Sequence, residues 1–258
     1  MTRLDIRMLG PLEVRRDGWS LDLGTRKQRA VFAILVANRR RAVSADRLIA
    51  ALWGATAADA RRSDVWVYVS RLRKALTPDG DVLGRNSAGY VLDVEDEAVD
   101  AYRFEALVAA GRQLMVTDPA KASSVLAEAL AAWSGEAFGE FAGEDFVAAE
   151  VARLEESRLT AIEMRLEAEI AVGNGEALIP EIEGLIVEHP LRTRLLAGFM
   201  LALYRQGRQV DALVAYADFA ERLGEMGLQP PAHVRVLEEQ ILVDHPALEP
   251  GRAASVRP

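Results

Sequence analysis

The residues best suited to a chemical role in this chain are the basic side chains that cluster between positions 61 and 74. The segment SDVWVYVSRLRKAL, residues 63–76, places apolar side chains at i, i+4, i+7 and i+11, which predicts a helix with one buried stripe. That stripe consists of Val65, Val69, Leu72 and Leu76. The basic residues fall largely off it: Arg71, Arg73 and Lys74, with Arg61 and Arg62 just upstream.

A helix that packs on the core with one face and is basic on the other can lie along a negatively charged groove. The segment therefore favours nucleic-acid binding. The alternative is a solvated basic surface, which would normally carry more acid than Asp64 alone.

The side chains that could support catalysis or metal binding do not form a recognisable site. The histidines are His189, His233 and His245, two of them precede prolines, and none has a ligand-type partner at i+4. The sequence contains no HExxH, no GxSxG and no Gly-rich loop that ends in Lys-Ser or Lys-Thr. We therefore expect neither an enzyme nor a cofactor.

An acidic, glycine-interrupted stretch lies between residues 135 and 150. Its carboxylates are Glu136, Glu140, Glu144, Asp145 and Glu150. Their spacing does not match an EF-hand. We interpret the stretch as a solvated, flexible connector.

Charge is distributed unevenly along the chain, whose net charge is −8. Residues 1–92 carry 17 Lys and Arg against 9 Asp and Glu, a net of +8, whereas residues 93–258 carry 14 against 30, a net of −16. An asymmetry of this size suggests a basic module that meets nucleic acid, joined to an acidic one that does not.

Length and composition limit the remaining classes of protein. A chain of 258 residues can hold two modest domains, and the absence of cysteine excludes disulfides and thiolate metal sites. The polar start MTRLDIR lacks the apolar region of a signal peptide, and no apolar run approaches the length of about 18 residues that spans a bilayer. We expect a soluble, cytoplasmic, nucleoid-associated protein without a membrane partner.

The N-terminal part alternates apolar and polar residues up to Leu23, with Gly10-Pro11 and Asp17-Gly18 as turns, which predicts short antiparallel strands. Next come an apolar helix within RKQRAVFAILVANRRR and a second helix for which Ser44 is a candidate N-cap. After the basic helix, TPDGD predicts a turn and VLGRNSAGYVLDV a hairpin. This order is that of a winged helix-turn-helix domain, whose recognition helix enters the major groove.

The strings KQRAVFAILVANRRRAVSADRLIAALWG, VYVSRLRKAL and GYVL resemble the OmpR-type DNA-binding domain of the Streptomyces antibiotic regulatory protein family. WSGEAF, EVARLEESRLTAIEMRLEAEIAVG, EHPLRTRLLAGFMLALYRQGRQVDAL and LEEQIL resemble its bacterial transcriptional activator domain, so the resemblance covers about residues 4 to 243.

The resemblance implies roles for individual residues. Arg71 occupies a position used on bases or nearby phosphates, while Val67 and Ser70 match groove-facing positions. Arg73, Lys74 and Arg62 match positions that hold the DNA backbone, and Lys27 matches a lysine that meets phosphate. In the hairpin, Asn86 stands near the place of a wing arginine, so we assign that contact to Arg85. Val65, Val69, Leu72 and Trp53 are assigned to the core.

The acidic part predicts seven helices: 102–116, 120–133, 144–172, 177–189, 192–206, 209–226 and 232–242. An internal similarity at an offset of 34 residues, for example Gly173 with Gly207 and Ile182 with Tyr216, indicates tetratricopeptide-like repeats. A plain helical bundle remains the alternative.

We therefore predict an OmpR-type winged-helix domain at 1–95, an all-α tetratricopeptide-like activator domain at 100–243, and a tail or linker at 244–258. The resemblance implies a transcriptional activator of a biosynthetic gene cluster that binds direct repeats in double-stranded promoter DNA as a head-to-tail dimer and recruits RNA polymerase holoenzyme. The alternatives are a repeat-type protein-interaction adaptor and the activator portion of a larger multidomain regulator.

Overall fold

The computed structural model describes residues 4–54, 61–76 and 82–249. The strands are β1 (Leu4–Arg7), β2 (Glu13–Arg16), β3 (Trp19–Ser20), β4 (Leu83–Asn86) and β5 (Gly89–Leu92). The helices are α1 (Arg26–Ala37), α2 (Ala45–Trp53), α3 (Arg62–Leu76), α4 (Asp100–Leu114), α5 (Pro119–Leu130), α6 (Asp145–Ala171), α7 (Gly175–Glu188), α8 (Thr193–Arg205), α9 (Gln209–Glu225) and α10 (Ala232–Leu242). The predicted turn TPDGD, residues 77–81, lies outside the described residues.

The first three strands form an antiparallel sheet in the order β1-β2-β3. Arg16 pairs with Trp19 across a two-residue loop, Asp17-Gly18, in which both residues have positive φ. Two positive φ values define the type I′ turn that suits the twist of a hairpin. The predicted alternation is confirmed at Ile6 and Val14, which are buried, whereas Trp19 is 81% exposed and does not contribute to the core.

Helices α1, α2 and α3 pack on one another through apolar side chains. In α1 the run from Ala30 to Val36 is buried throughout, as predicted for a central helix. Ser44 caps α2 as predicted, since its hydroxyl accepts a hydrogen bond from the backbone N–H of Arg47 at 3.1 Å. The core assignment is confirmed for the stripe of α3, while Trp53 is only half-buried.

The wing is the hairpin of β4 and β5, and it is joined to the start of α2 through backbone contacts. The N–H of Val43 donates to Tyr90 O at 2.8 Å, and the N–H of Tyr90 donates to Val43 O at 2.9 Å. Gly89 has φ +148°, and a Cβ built on it would lie 2.2 Å from Val43 O. The glycine therefore allows the wing strand to approach α2 this closely.

A loop from the acidic half completes the N-terminal fold. We call residues 134–141 the docking loop. Its backbone N–H groups at Ser134 and Phe138 donate to Leu9 O and Met8 O at 2.8 and 2.7 Å. On the other side, the carboxylate of Asp100 accepts hydrogen bonds from the N–H of Met8 and of Leu9 at 2.9–3.1 Å. Burial raises the pKa of Asp100, although these hydrogen bonds oppose the shift.

The chain divides into two compact units: Met1–Leu107 with Ala129–Leu159, and Val108–Glu128 with Thr160–Pro258. The compact division therefore differs from the sequence boundary near residue 95, because residues 129–159 cluster with the winged helix.

The interpretation of the acidic stretch as a solvated, flexible connector is wrong. It forms the docking loop and the start of α6, and Phe138 and Phe141 within it are fully buried.

The second unit contains the helical hairpins α8–α9 and α9–α10, together with α7 and the end of α6. Gly173 and Gly207 both have positive φ and follow a helix end. The hydrogen bond from Asn174 N to Glu169 O, 3.0 Å, repeats 34 residues later from Arg208 N to Leu203 O, also 3.0 Å. This repetition supports the tetratricopeptide-like reading.

Residues 244–249, predicted as the start of a tail, pack on the second unit instead. Leu248 is buried, and Arg205 donates from Nε to Leu248 O at 2.9 Å. Residues 250–258 lie outside the described part of the chain. Across the described ranges, no helix is both long enough and apolar enough to cross a membrane.

Candidate nucleic-acid interface

Helix α3 separates its apolar and polar residues as the sequence predicted. Val65, Val69, Leu72 and Leu76 are buried. At 100° per residue, the side opposite this stripe carries four of the predicted contact residues, namely Val67, Ser70, Arg71 and Lys74. All are exposed except Val67, which is half-buried. Within the described ranges, neither Arg71 nor Lys74 has a carboxylate within ion-pair distance, so both charges are available to an anionic ligand.

Arg73 faces sideways, toward the wing. Its Nε donates to Leu83 O, on β4, at 2.6 Å, and the residue is half-buried. Arg16, on β2, donates to Ala75 O at 3.0 Å and also to Leu76 O, which satisfies carbonyls at the C-terminal end of α3. These two arginines therefore fix α3 against the wing and against the sheet.

Arg62 lies at the first residue of α3, where it is exposed and ion-paired. Its guanidinium contacts the carboxylate of Asp46, in the first turn of α2, at 2.7 Å. Since both side chains are exposed, the pair contributes little to stability. The contact places the Arg62 guanidinium beside the start of α2, on a flank of α3.

Lys27 lies over an aromatic cluster that joins the three helices. Its Nζ is 4.8 Å from the ring centroid of Trp53, and the Arg61 guanidinium is 5.6 Å from the same ring. Trp53 stacks on Tyr68 with centroids 6.2 Å apart and planes 9° apart. Lys27 remains exposed, so its charge faces solvent while its position is fixed by a cation–π contact.

The tip of the wing carries Arg85 on its exposed surface. The Arg85 guanidinium is 5.6 Å from the Tyr90 ring centroid. Asn86, by contrast, is engaged in the turn itself: its Oδ1 accepts hydrogen bonds from the N–H of Ala88 at 2.9 Å and of Gly89 at 3.1 Å. Asn86 is therefore a turn residue, which supports Arg85 as the basic residue of the wing.

Two further arginines, at the start of α1, are neutralised by the docking loop and the residues just after it. Arg29 contacts Glu140 at 2.7 Å and Arg26 contacts Glu144 at 2.6 Å. The hydrogen bond from Arg29 lowers the pKa of Glu140. The net charge of +8 over residues 1–92 therefore overstates the positive charge available to DNA.

The sequence did not identify three residues at this surface: Arg16, which bonds the end of α3, Asp46, which pairs with Arg62, and the exposed Trp66. Nothing in the sequence relates Arg16 to the end of α3, because the two are some sixty positions apart. Trp66 could have been noticed: it lies off the apolar stripe, one helical turn from Arg62 and from Ser70, and is 60% exposed.

Two family models match this chain. The bacterial transcriptional activator domain matches residues 99–242, and the model described as transcriptional regulatory protein, C terminal, matches residues 21–92. The regulatory protein DnrI of Streptomyces peucetius is 33% identical over 257 residues, which are 95% of this chain and 94% of DnrI. The transcriptional regulator RedD of Streptomyces coelicolor is 35% identical over 254 residues, 95% of this chain and 72% of RedD.

The transcriptional regulatory protein EmbR of Mycobacterium tuberculosis is 38% identical over 250 residues, 95% of this chain and 64% of EmbR. A solved structure of EmbR in complex with a low-affinity phosphopeptide has a TM-score of 0.88 to this chain, covering 95% of this chain and 66% of the EmbR chain. This chain thus spans just under two thirds of EmbR.

Proposed function

This chain belongs to the Streptomyces antibiotic regulatory protein family of transcriptional activators, and we propose that it activates transcription by binding specific promoter sequences through α3. Recognition takes place in the major groove, which is about as wide as one α-helix. The wing reaches the adjacent groove with Arg85. The observation that carries this proposal is the exposed face of α3, on which Arg71 and Lys74 stand opposite a fully buried stripe.

We assign the predicted contact residues to groups by role. Val67, Ser70 and Arg71, on the far face of α3, contact base edges or the phosphates near them, and Lys74 on the same face contacts phosphate. Arg62, Lys27 and Arg85 supply charge to the surrounding phosphates. Arg73 serves the interface through its bond to Leu83 O as well as through its charge.

We expect Arg71→Ala to weaken binding of the cognate duplex by about ten- to a hundredfold, or about 1–3 kcal/mol, the range for a base-contacting arginine. Arg73→Ala should also weaken it, because the variant releases the wing strand. Lys27→Ala and Arg62→Ala should instead weaken binding to all sequences alike.

Equilibrium binding of the full chain to two labelled duplexes measures these effects. One duplex is enriched from a random library by the protein itself, and the other is its shuffled counterpart. Arg112→Ala is the control, because it removes one exposed positive charge from the second unit. Unchanged specific binding in both Arg71→Ala and Arg73→Ala would show that α3 is not the recognition helix. Failure of the unaltered chain to bind any duplex would instead favour the protein-interaction adaptor.

Activation is proposed to proceed by recruitment of RNA polymerase holoenzyme. Two protomers bind direct repeats head to tail beside a promoter, and the target is a biosynthetic gene cluster. These points rest on the family and not on any contact within the chain.

We expect transcription in vitro, from a promoter that carries the bound repeats, to increase several-fold when this protein is added to purified holoenzyme. The Arg71→Ala variant at the same concentration serves as the control and should leave basal output unchanged. A fall in output on adding the unaltered protein would identify a repressor and contradict the proposal.

A further inference from the structure

Trp66 is the large apolar residue on α3 that the packing of the fold does not use. It is 60% exposed, although the neighbouring Val65 and Val69 are buried. Among the described residues, no ring and no cation lies within stacking distance of its indole. An indole in water leaves a large apolar area and an N–H donor without a protein partner.

The position of Trp66 on the helix defines what it can reach. It lies about 90° around α3 from the buried stripe, and so on a flank and not on the far face. Arg62 and Arg73 share this flank. The contact of Arg62 with Asp46 and the contact of Arg73 with Leu83 O show that the flank faces the start of α2 and the wing.

A helix in the major groove presents its far face to the bases and its flanks to the groove walls, which consist of sugars and phosphates. When α3 occupies one groove and the wing the next, the DNA strand between the two grooves must pass along the flank that faces the wing. Trp66 stands on that flank. The adjoining far face of α3 carries Arg71 and Lys74, which are exposed and have no carboxylate within ion-pair distance among the described residues. These charges suit a polyanion and not a purely apolar partner.

We propose that Trp66 contacts the sugar–phosphate backbone of the strand that runs between α3 and the wing. The indole ring packs on deoxyribose, and Nε1–H donates to a phosphate oxygen. The contact is independent of sequence and anchors the register of α3 in the groove. This inference rests on the proposed function.

The test compares Trp66→Ala and Trp66→Phe in the full chain, on the enriched duplex and on its shuffled counterpart, over a series of salt concentrations. We expect Trp66→Ala to weaken binding to both duplexes about tenfold. Trp66→Phe should lower the affinity by less, because phenylalanine keeps an aromatic ring but has no hydrogen-bond donor. The salt slope should not change, since tryptophan displaces no counterions. Arg62→Ala is the matched control on the same flank and should make the slope shallower by about 0.9.

A second readout is independent of affinity. Subtracting the emission of Trp66→Phe from that of the unaltered chain isolates the Trp66 fluorescence, which should change on DNA binding and become protected from acrylamide. Both variants should keep the circular dichroism and thermal midpoint of the unaltered chain because Trp66 is exposed.

Several outcomes would overturn the inference. If Trp66→Ala weakens binding to the enriched duplex and not to the shuffled one, Trp66 contacts base edges and not the backbone. If both affinities are unchanged, or if only self-association is lost, Trp66 serves a protein contact or none. Absence of any DNA binding by the unaltered chain would be a different result, since it contradicts the proposed function itself.

Discussion

The affinity for DNA should fall by about 250- to 1,000-fold when salt rises from 50 to 200 mM, although the chain is acidic overall. Each phosphate that a cation neutralises releases condensed counterions, and about five contacts per protomer give a slope of about −4 to −5 in log K against log salt. The candidates for these contacts are Arg71, Lys74, Arg62, Lys27 and Arg85. Charges farther away than about 8 Å are largely screened at physiological salt, so we expect the slope to follow the cations that contact phosphate and not the net charge of the whole chain.

The full chain is the right material for this titration. A fragment that ends near residue 95 would lack Asp100 and the docking loop, which between them satisfy the backbone of Met8 and Leu9. Lys74→Ala should make the slope shallower by about 0.9, whereas Arg112→Ala should leave it unchanged. A slope near zero for the unaltered chain would show that these cations do not meet phosphate.

Replacing Gly89 by alanine should lower the free energy of unfolding of the first unit by about 3 kcal/mol, the upper part of the range for single substitutions. The added Cβ would lie 2.2 Å from Val43 O and 2.8 Å from Ser44 N, both backbone atoms that cannot rotate away. The φ of +148° adds strain for any residue with a side chain. The paired hydrogen bonds between Val43 and Tyr90 would therefore open, and the wing would separate from α2.

Gly84 provides a matched control on the other strand of the same hairpin. A Cβ there would have Val91 O as its nearest neighbour, at 4.0 Å. Gly84→Ala should change stability by no more than about 0.5 kcal/mol. Urea titrations of both variants, followed by circular dichroism, measure the difference. Equal midpoints for the two variants would contradict the close approach of the wing to α2.

Local features followed directly from the sequence because they depend on residues only a few positions apart. The apolar stripe of α3 and the cap at Ser44 come from helical periodicity and side-chain chemistry. The helices of the acidic half were predicted to within a few residues of their observed ends. The 34-residue offset likewise pointed to equivalent turns at Gly173 and Gly207.

Candidate contact residues were predicted as a set, but their environments were not. Whether a cation is free, ion-paired or held by a carbonyl depends on what lies opposite it in the fold. The sequence offered no means to distinguish Arg71, which faces solvent, from Arg73, which donates to Leu83 O, or from Arg62, which pairs with Asp46. The same holds for Asn86, whose side chain accepts the hydrogen bonds of the wing turn.

The sequence by itself determined the kinds of element, their order, and which face of α3 is basic. Only the tertiary structure decided that residues 129–159 complete the N-terminal unit and that Glu140 and Glu144 neutralise Arg29 and Arg26. The physical reason is distance along the chain. Periodicity and composition report on neighbours within a few turns, whereas the partners of Arg29 and of Met8 are supplied by segments about a hundred residues away, whose approach depends on the packing of the whole unit.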